Sequence, residues 1–125
     1  MDTNGNIKKL LIKDLSSRLP YNVICQVEFK ENGKYNSKVM LLSGIFTDEA
    51  YFTTKGGSIY SNEYKPYLFP LSSMTEEQQM DLTKFVANGI QGENILYDWY
   101  NKNHFDYRGL IEKGLAIDAT GLNIY

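Results

Sequence analysis

The sequence predicts a single α+β domain in which one helix precedes a run of antiparallel strands, and two further helices and a short strand follow. Apolar residues recur at helical spacing before residue 20 and again after residue 74. Between these segments, alternating apolar and polar residues separated by turn signals predict three or four consecutive strands, forming an antiparallel sheet or a small open barrel. Because strands and helices occur in separate runs, an α+β architecture is favoured over a βαβ fold.

The first helix is predicted over residues 7–18. Its apolar stripe consists of Ile7, Leu10, Leu11, Leu15 and Leu19. The basic residues of this segment fall mostly off the stripe. The proline at position 20 disfavours helical backbone in the residue before it, so the helix is expected to end there.

The strands are predicted from alternation and from turns. In VICQVEFK, Val23, Cys25, Val27 and Phe29 share one face, which is the expected core face. Asn32-Gly33 favours a two-residue type I′ hairpin, because both positions then need positive φ. The further strands are predicted at 35–43, at AYFTT (50–54) after a turn around Asp48, and at SIYS (58–61).

Two prolines interrupt the apolar stretch EYKPYLFPL (63–71). Proline cannot donate to a strand ladder and is confined to strand edges, strand ends and bulges. This stretch is therefore expected to cross the surface of the sheet without forming a central strand.

Helix signals return after residue 72. Thr75 with Gln78, and Ser73 with Glu76, fit a capping box. The second helix is expected to bury Leu82, Phe85 and Val86 and to stop at Asn88-Gly89, and the third, over 93–102, to bury Ile95, Leu96 and Trp99. A stop at Gly114 and a short strand at 115–117 follow. The last residues are expected to be loose, so the ordered core of the domain, 1–125, is expected at about 7–118.

Composition excludes several classes of protein. The chain has 125 residues, three prolines and a net charge of −2, which fits one globular domain and argues against a generic nucleic-acid coat. Its one cysteine allows no intrachain disulfide. No secretory signal and no membrane-length apolar run is apparent, so a soluble protein of the cytoplasm without membrane contacts is expected.

Three segments carry a resemblance to known proteins: LPYNV (19–23), KPYLFPLSSMT (65–75) and DWYNKNHFDYRGLIEKGLAI (98–117). Together they resemble a group of small uncharacterised proteins encoded by bacteriophages, prophages and mobile elements of anaerobic gut bacteria. The resemblance covers about residues 7–118. It implies phage or mobile-element cargo working inside a bacterial cell, and it assigns no activity and no catalytic residue.

The segment NHFDYRG (103–109) is the densest cluster of chemically active residues. His104, the only histidine, could act as a general base oriented by Asp106. A dyad with Cys25 is disfavoured because that thiol is expected in the core. We interpret the segment instead as a structured connection whose rings dock into the core and whose Asp106 and Arg108 hydrogen-bond to nearby backbone. An enzyme using His104 is the third-ranked hypothesis, and neither a metal nor a cofactor is predicted.

Nucleic-acid binding is the alternative function. The first helix carries Lys8, Lys9, Lys13 and Arg18, which could contact phosphates. Tyrosines on the strands could stack on single-stranded bases. Neighbouring acidic residues and the negative net charge argue against this function.

Protein binding is the function that the sequence favours. Four aromatic residues surround the two prolines, Tyr60, Tyr64, Tyr67 and Phe69, and exposure of half of these rings would form a rigid interaction surface. Burial of these rings against the sheet is the alternative. Arg108, with His104 and Asp106, would supply polar contacts to a partner. The expected function is thus a non-enzymatic accessory protein that binds another protein, and an exposed tyrosine-rich edge strand would also allow a homodimer.

Overall fold

A computed structural model describes residues 3–46, 49–88 and 94–125. The helices are α1 (Thr3–Arg18), α2 (Glu76–Asn88) and α3 (Asn94–Lys102), with short 3-10 turns at Leu19–Tyr21 and Leu71–Ser73. The strands are β1 (Ile24–Glu31), β2 (Lys34–Ile45), β3 (Ala50–Thr54), β4 (Gly57–Ser61), β5 (Glu63–Pro70), β6 (Phe105–Asp106) and β7 (Ile117–Asp118). The α+β class is as predicted, and so is the order in which one helix, a run of strands and two further helices follow one another.

The sheet is larger than predicted, since the described residues form seven strands and not three or four with a closing strand. The order is β4-β3-β2-β1-β5-β6, and β7 also pairs with β5. Strands β1 to β5 pair antiparallel, as predicted for the first four of them, whereas β6 and β7 pair parallel to β5. The sheet is therefore mixed. The two added strands have two residues each, too short to produce a periodic signal in the sequence.

The prediction that EYKPYLFPL avoids the sheet interior is wrong, because β5 pairs with three other strands. Successive residues of a strand direct their N–H and C=O groups to alternate edges. The Leu68 carbonyl accepts a hydrogen bond from Ala119 on the β7 edge, 2.8 Å away. Pro66, two residues earlier, therefore directs its nitrogen to that edge and away from β1. Pro70 is the last residue of the strand, so neither proline removes a bond from the β1–β5 ladder.

The sheet bends back on itself. Strands β4 and β5 are consecutive, separated by Asn62, yet β4 pairs with β3 and β5 pairs with β1. The rings of Phe52 in β3 and Tyr64 in β5 lie 5.2 Å apart. Three strand spacings would separate them by about 14 Å in a flat sheet. The curvature thus lets side chains from distant strands share one core.

The core lies between the concave face of the sheet and α1. Val23, Cys25 and Val27 are fully buried, which confirms the predicted core face of β1. From α1, Leu11 and Leu15 pack against them, as the apolar stripe predicted. Apolar burial of this kind is the main driving force for the fold, at roughly 25 cal/mol per Å².

Local signals at the hairpin and at α2 behave largely as predicted. Asn32 and Gly33 have φ values of 52° and 79°, which fits the type I′ turn. Thr75 Oγ1 accepts from the Gln78 N–H at 3.1 Å, and Gln78 Oε1 accepts from the Thr75 N–H at 2.9 Å, so the capping box is confirmed. Val86 is exposed and not buried, because α2 packs mainly against α3.

The third helix and the segment after it also show where prediction succeeds and fails. Trp99 is buried against Phe105, as expected for the inner face of α3.

The turn around Asp48 and the Gly89 part of the predicted helix stop lie outside the described residues. The expectation of loose residues after 118 is wrong for Tyr125, whose hydroxyl accepts from the Ile24 N–H at 2.9 Å and donates to the Tyr67 carbonyl at 2.8 Å.

Candidate functional site

The NHFDYRG segment connects α3 to a turn at residues 107–114, and its backbone is fixed by β6. His104 adopts the left-handed conformation at φ 63°, which ends α3, and its carbonyl accepts from the Phe69 N–H at 2.8 Å. Phe105 is buried and stacks parallel to Trp99, with ring centroids 5.6 Å apart. The prediction that this segment is a structured connection is confirmed for its backbone and for Phe105.

Asp106 organises the following turn. Its two carboxylate oxygens accept from the backbone N–H groups of Leu110 and Ile111, each at 2.9 Å. Gly109, at φ 73°, supplies the backbone conformation that the turn requires. Asp106 is buried, so it hydrogen-bonds to backbone as expected and is withdrawn from the surface where a binding residue would act.

Arg108 makes a different contact from the one predicted. Its Nη1 donates to Asp14 Oδ1 of α1 at 2.8 Å, not to nearby backbone. The other oxygen of Asp14 accepts from Arg18 Nε at 2.7 Å. Arg18 Nη2 donates in turn to the Phe105 carbonyl at 2.7 Å. The carboxylate of Asp14 thus joins two guanidinium groups that lie 90 positions apart in the sequence.

Arg18 is therefore not available for phosphate binding, which corrects the sequence-based expectation. Its side chain and that of Asp14 are fully buried, because the i, i+4 pair faces the interior of the molecule from α1. Burial of an ion pair is costly, and removal of one partner leaves an uncompensated charge. Two cations and one anion leave one net positive charge in the triad of Asp14, Arg18 and Arg108, of which only Arg108 is partly exposed.

Tyr107 lies between the two arginines. The guanidinium carbons of Arg18 and Arg108 lie 5.2 and 4.7 Å from the centre of its ring. Tyr97 and Tyr100 of α3 extend the aromatic stack, at 5.0 and 5.6 Å from Tyr107. Guanidinium groups stack favourably on aromatic faces, so the stack holds Arg108 in one orientation.

An open groove borders this stack. It has a volume of about 540 Å³ and is lined by Ser17, Tyr97, Asp98, Asn101, Tyr107 and Arg108. We call it the Arg108 groove. Sequence reasoning singled out Arg108 but missed Asn101 and Asp98, since a helix with few buried positions gives no signal of which polar residue faces a groove.

His104 does not belong to the Arg108 groove. Its ring stacks on Tyr125, with centroids 3.6 Å apart. Burial, with the nearby positive charge of Arg18, lowers the pKa of His104 from 6.5 to about 4. Its Nδ1 is buried without a hydrogen-bond partner among the described residues. Asp106 directs its carboxylate to the backbone of Leu110 and Ile111, so the expected pairing of that acid with the imidazole does not form.

The three tyrosines proposed as a surface set are separated by the structure. Tyr64 and Tyr67 are buried in β5, so the expectation that they line an exposed patch is wrong. Tyr67 Oη donates to Gln26 Oε1 at 2.6 Å, which satisfies its polar end. Tyr60 is 55% exposed, because it lies on the convex side of β4. It is therefore the member of the set that a partner can reach.

Tyr60 belongs to an exposed aromatic cluster that the sequence did not reveal. Its ring lies 4.7 Å from Tyr51 of β3 and 5.6 Å from Phe46. Phe46 is 52% exposed. The cluster forms because Tyr51 and Tyr60 are direct cross-strand partners in the β3–β4 register. We refer to Phe46, Tyr51 and Tyr60 as the aromatic cluster.

A second groove lies beside the aromatic cluster, between β4 and the end of β1. Its volume is about 350 Å³, and Phe29, Ile59 and Tyr60 supply its apolar lining. Three glutamates and one lysine also line it: Glu28, Glu49, Glu63 and Lys30. This β4 groove thus carries two net negative charges, which distinguishes it from the Arg108 groove.

The remaining candidates from the sequence are the Cys25 thiol, a metal site and the lysines of α1. Cys25 is fully buried, and burial raises the pKa of its thiol, so a nucleophilic thiolate is not formed there. Within 3–46, 49–88 and 94–125, no three His, Cys, Asp or Glu side chains are grouped as metal ligands. Lys9 and Lys13 are exposed on α1 and Lys8 is half-buried. None of the helices described is long and apolar enough to cross a membrane.

Comparison with known proteins gave no match: no family model, no curated sequence and no solved structure is significantly similar to this chain.

Proposed function

We propose that this chain is a non-enzymatic accessory protein of phage or mobile-element type that binds another protein, and that its binding face is the β4 groove with the adjoining aromatic cluster. The observation that carries the proposal is the unpaired edge of β4. This strand pairs with β3 on one side, and no described strand pairs with its other side. An unpaired strand edge offers N–H and C=O groups to an added strand.

The occupant that fits is an extended, basic segment of a partner protein. Strand addition supplies affinity through main-chain hydrogen bonds, and alternate side chains of the added strand would contact Tyr60 and Ile59. Glu28, Glu49 and Glu63 favour lysine or arginine on the partner, because opposite charges steer association and select partners. Exposed aromatic rings are typical of interaction hot spots.

The same charges weigh against the nucleic-acid alternative. Tyr60, on which a base could stack, lies beside three glutamates, and these repel phosphates. Of the four basic residues proposed to contact phosphate, Arg18 is buried. Lys8, Lys9 and Lys13 lie on α1, which packs on the concave side of the sheet, whereas the aromatic cluster lies on the convex side.

A peptide-display selection tests the proposal. Random, unstructured peptides that are displayed without a free carboxyl end are selected against the wild-type protein, and binding is then measured for Tyr60→Ala and Glu49→Lys. We expect peptides rich in basic and β-branched or aromatic residues, with affinity at least about tenfold weaker for both variants because each removes a contact at the centre of the face. Met80→Ala and Glu112→Lys are matched controls, because both residues are exposed and lie outside both the β4 groove and the Arg108 groove.

The outcomes separate the candidate occupants. Peptides that bind wild type and Tyr60→Ala equally would overturn the proposal. Dimerisation of the wild type that Tyr60→Ala abolishes would assign the face to a second copy of the chain. Binding of a single-stranded oligonucleotide with a steep salt dependence, unaffected by Tyr60→Ala, would favour the α1 lysines and nucleic acid instead.

A further inference from the structure

The Arg108 groove lies away from the β4 groove and has the features of a small ligand site. Its walls come from three parts of the chain: Ser17 from α1, three residues of α3, and Tyr107 with Arg108 from the turn after β6. Its volume of about 540 Å³ is within the range of small-molecule sites, about 300–1,000 Å³.

The groove presents a positioned cation. The side chain of Arg108 is 19% exposed, and one of its nitrogens is committed to Asp14. Its Nε and Nη2 have no hydrogen-bond partner within the described part of the chain, and they remain free to donate. Both oxygens of Asp14 are engaged by the two arginines, so the net positive charge of the triad is not neutralised by this acid. An anionic group in the groove would be stabilised by it.

Asn101 contributes a buried polar side chain to the wall of the groove. The residue is 96% buried, since only 4% of its surface is exposed, and its Oδ1 is not exposed to solvent and has no hydrogen-bond partner among the described residues. A buried amide oxygen without a partner is costly, which makes this side chain a candidate for ligand contact. Rotation of the carboxamide allows it to offer either a donor or an acceptor to the groove.

Three further residues of the groove define what lies next to the Arg108 cation. Asp98, which lies one helical turn before Lys102 on α3, is exposed and lines the same groove. A ligand bound at Arg108 can therefore also contact the negative charge of Asp98. The rings of Tyr97 and Tyr107 lie 5.0 Å apart, tilted by 31°, and give the groove an apolar wall. A ligand that fits this set has an anion, a nearby N–H donor and an apolar part.

We propose that the Arg108 groove binds an α-carboxylate whose adjacent carbon bears an N–H group, as in a free amino acid or in the last residue of a peptide. The carboxylate accepts from Arg108, because the planar guanidinium suits a carboxylate. The N–H group donates to Asn101 Oδ1 after the carboxamide has rotated to direct that oxygen into the groove. Asp98 contributes when the nitrogen is a charged ammonium, and the side chain of the ligand rests on Tyr97.

Nuclear magnetic resonance titration tests this proposal with two sets of probes. One set is the free amino acids, and the other is dipeptides with an acetylated N-terminus and a free carboxylate. Methyl esters and amides of the same compounds serve as controls without the anion. We expect saturable shifts of the backbone signals of Tyr97, Asn101 and Tyr107 for the acids, with binding at least about tenfold weaker for esters and amides.

Amino-acid substitutions in the groove distinguish the two classes of ligand, free amino acids and peptide C-termini. Asp98→Asn is expected to weaken binding of free amino acids about fivefold or more and to leave acetylated peptides nearly unchanged, because only the ammonium is charged. Asn101→Ala is expected to weaken both sets. Arg108→Lys keeps a charge near Asp14 and is expected to weaken both sets by loss of the planar contact. Glu112→Gln, an exposed change outside the groove, is the matched control.

The proposal is overturned if no acid of either set gives saturable shifts at these residues, or if esters bind as well as acids. Equal binding by wild type and Asn101→Ala also overturns it. Thermal unfolding of each variant is measured alongside, so that loss of binding in a folded variant is separated from loss of the fold. Because the peptide-display selection concerns the β4 groove, failure of one experiment leaves the other proposal standing.

Discussion

His104 shows how environment decides the chemistry of a residue. A histidine two residues before an aspartate suggests a general base, yet the ring of His104 is stacked on Tyr125 and its pKa is lowered to about 4. Burial, its largest cause, disfavours the imidazolium form, and the charge of Arg18 disfavours it further. Near neutral pH the ring is therefore a neutral packing element.

This environment predicts a specific acid sensitivity. The folded protein holds His104 neutral, whereas the unfolded chain binds a proton below a pKa of about 6.5. Stability is thus complete above this value and falls as the pH falls from about 6.5 toward 4, since the unfolded state then binds more protons. We expect a loss on the order of 1–2 kcal/mol after allowance for partial exposure.

Urea denaturation near pH 7 and near pH 4 measures the effect. The comparison variant is His104→Asn, because asparagine also tolerates the left-handed backbone at this position. Carboxylates titrate in both proteins, so their effect cancels in the difference between the two pH profiles. Parallel profiles for wild type and variant would refute the assignment of the lowered pKa to His104.

At the scale of the element, local signals set where helices and hairpins begin and end. The α2 start is an example, because Thr75 and Gln78 satisfy two backbone N–H groups reciprocally. The Asn32-Gly33 hairpin is another, because its turn geometry follows from two residues. These elements were predictable since the atoms that determine them are within four positions in the sequence.

The α2 cap gives a quantitative prediction. Thr75→Ala removes the acceptor for the Gln78 N–H and is expected to lower the free energy of unfolding by about 1 kcal/mol. Thr83→Ala in the same helix is the matched control. Thr83 Oγ1 donates to the Gln79 carbonyl, a contact that slightly destabilises helices, so this change is expected to be neutral or stabilising. Equal destabilisation by both changes in chemical denaturation would argue against the cap.

At the scale of the whole molecule, long-range contacts fix the segment after residue 118 to the sheet. Tyr125 joins β1 to β5, because its hydroxyl accepts from Ile24 and donates to Tyr67. Its ring also packs on His104 and, at 6.0 Å, on Phe69. One side chain therefore ties three distant parts of the chain together.

Removal of the hydroxyl tests this role. Tyr125→Phe keeps the ring and is expected to lower the free energy of unfolding by roughly 1–2 kcal/mol, because an N–H and a carbonyl lose their partner. Tyr97→Phe is the matched control, because Tyr97 is 44% exposed and Tyr125 is 43% exposed. The hydroxyl of Tyr97 makes no hydrogen bond to the described residues. Equal urea midpoints for the two variants would show that the bridge contributes nothing.

Some residues of the candidate sites were predictable from the sequence, whereas their contacts depend on the whole molecule. Arg108 and Tyr60 were recognisable from the sequence, because arginine and tyrosine have distinctive recognition chemistry. Their partners were not, since Asp14 is 94 positions from Arg108 and Tyr51 becomes a neighbour of Tyr60 only through the β3–β4 register. The burial of Tyr64 and Tyr67 likewise depends on β5 being inside the sheet.

The sequence by itself determined the α+β class, the first helix, the antiparallel hairpins and the α2 cap, because each depends on periodicity or on contacts within a few residues. Only the tertiary structure decided that β5 is central, that Asp14, Arg18 and Arg108 meet, and that the β4 and Arg108 grooves exist. Those features depend on strand order and on sheet curvature, which result from packing of distant segments. Local periodicity contains no record of which distant segments meet.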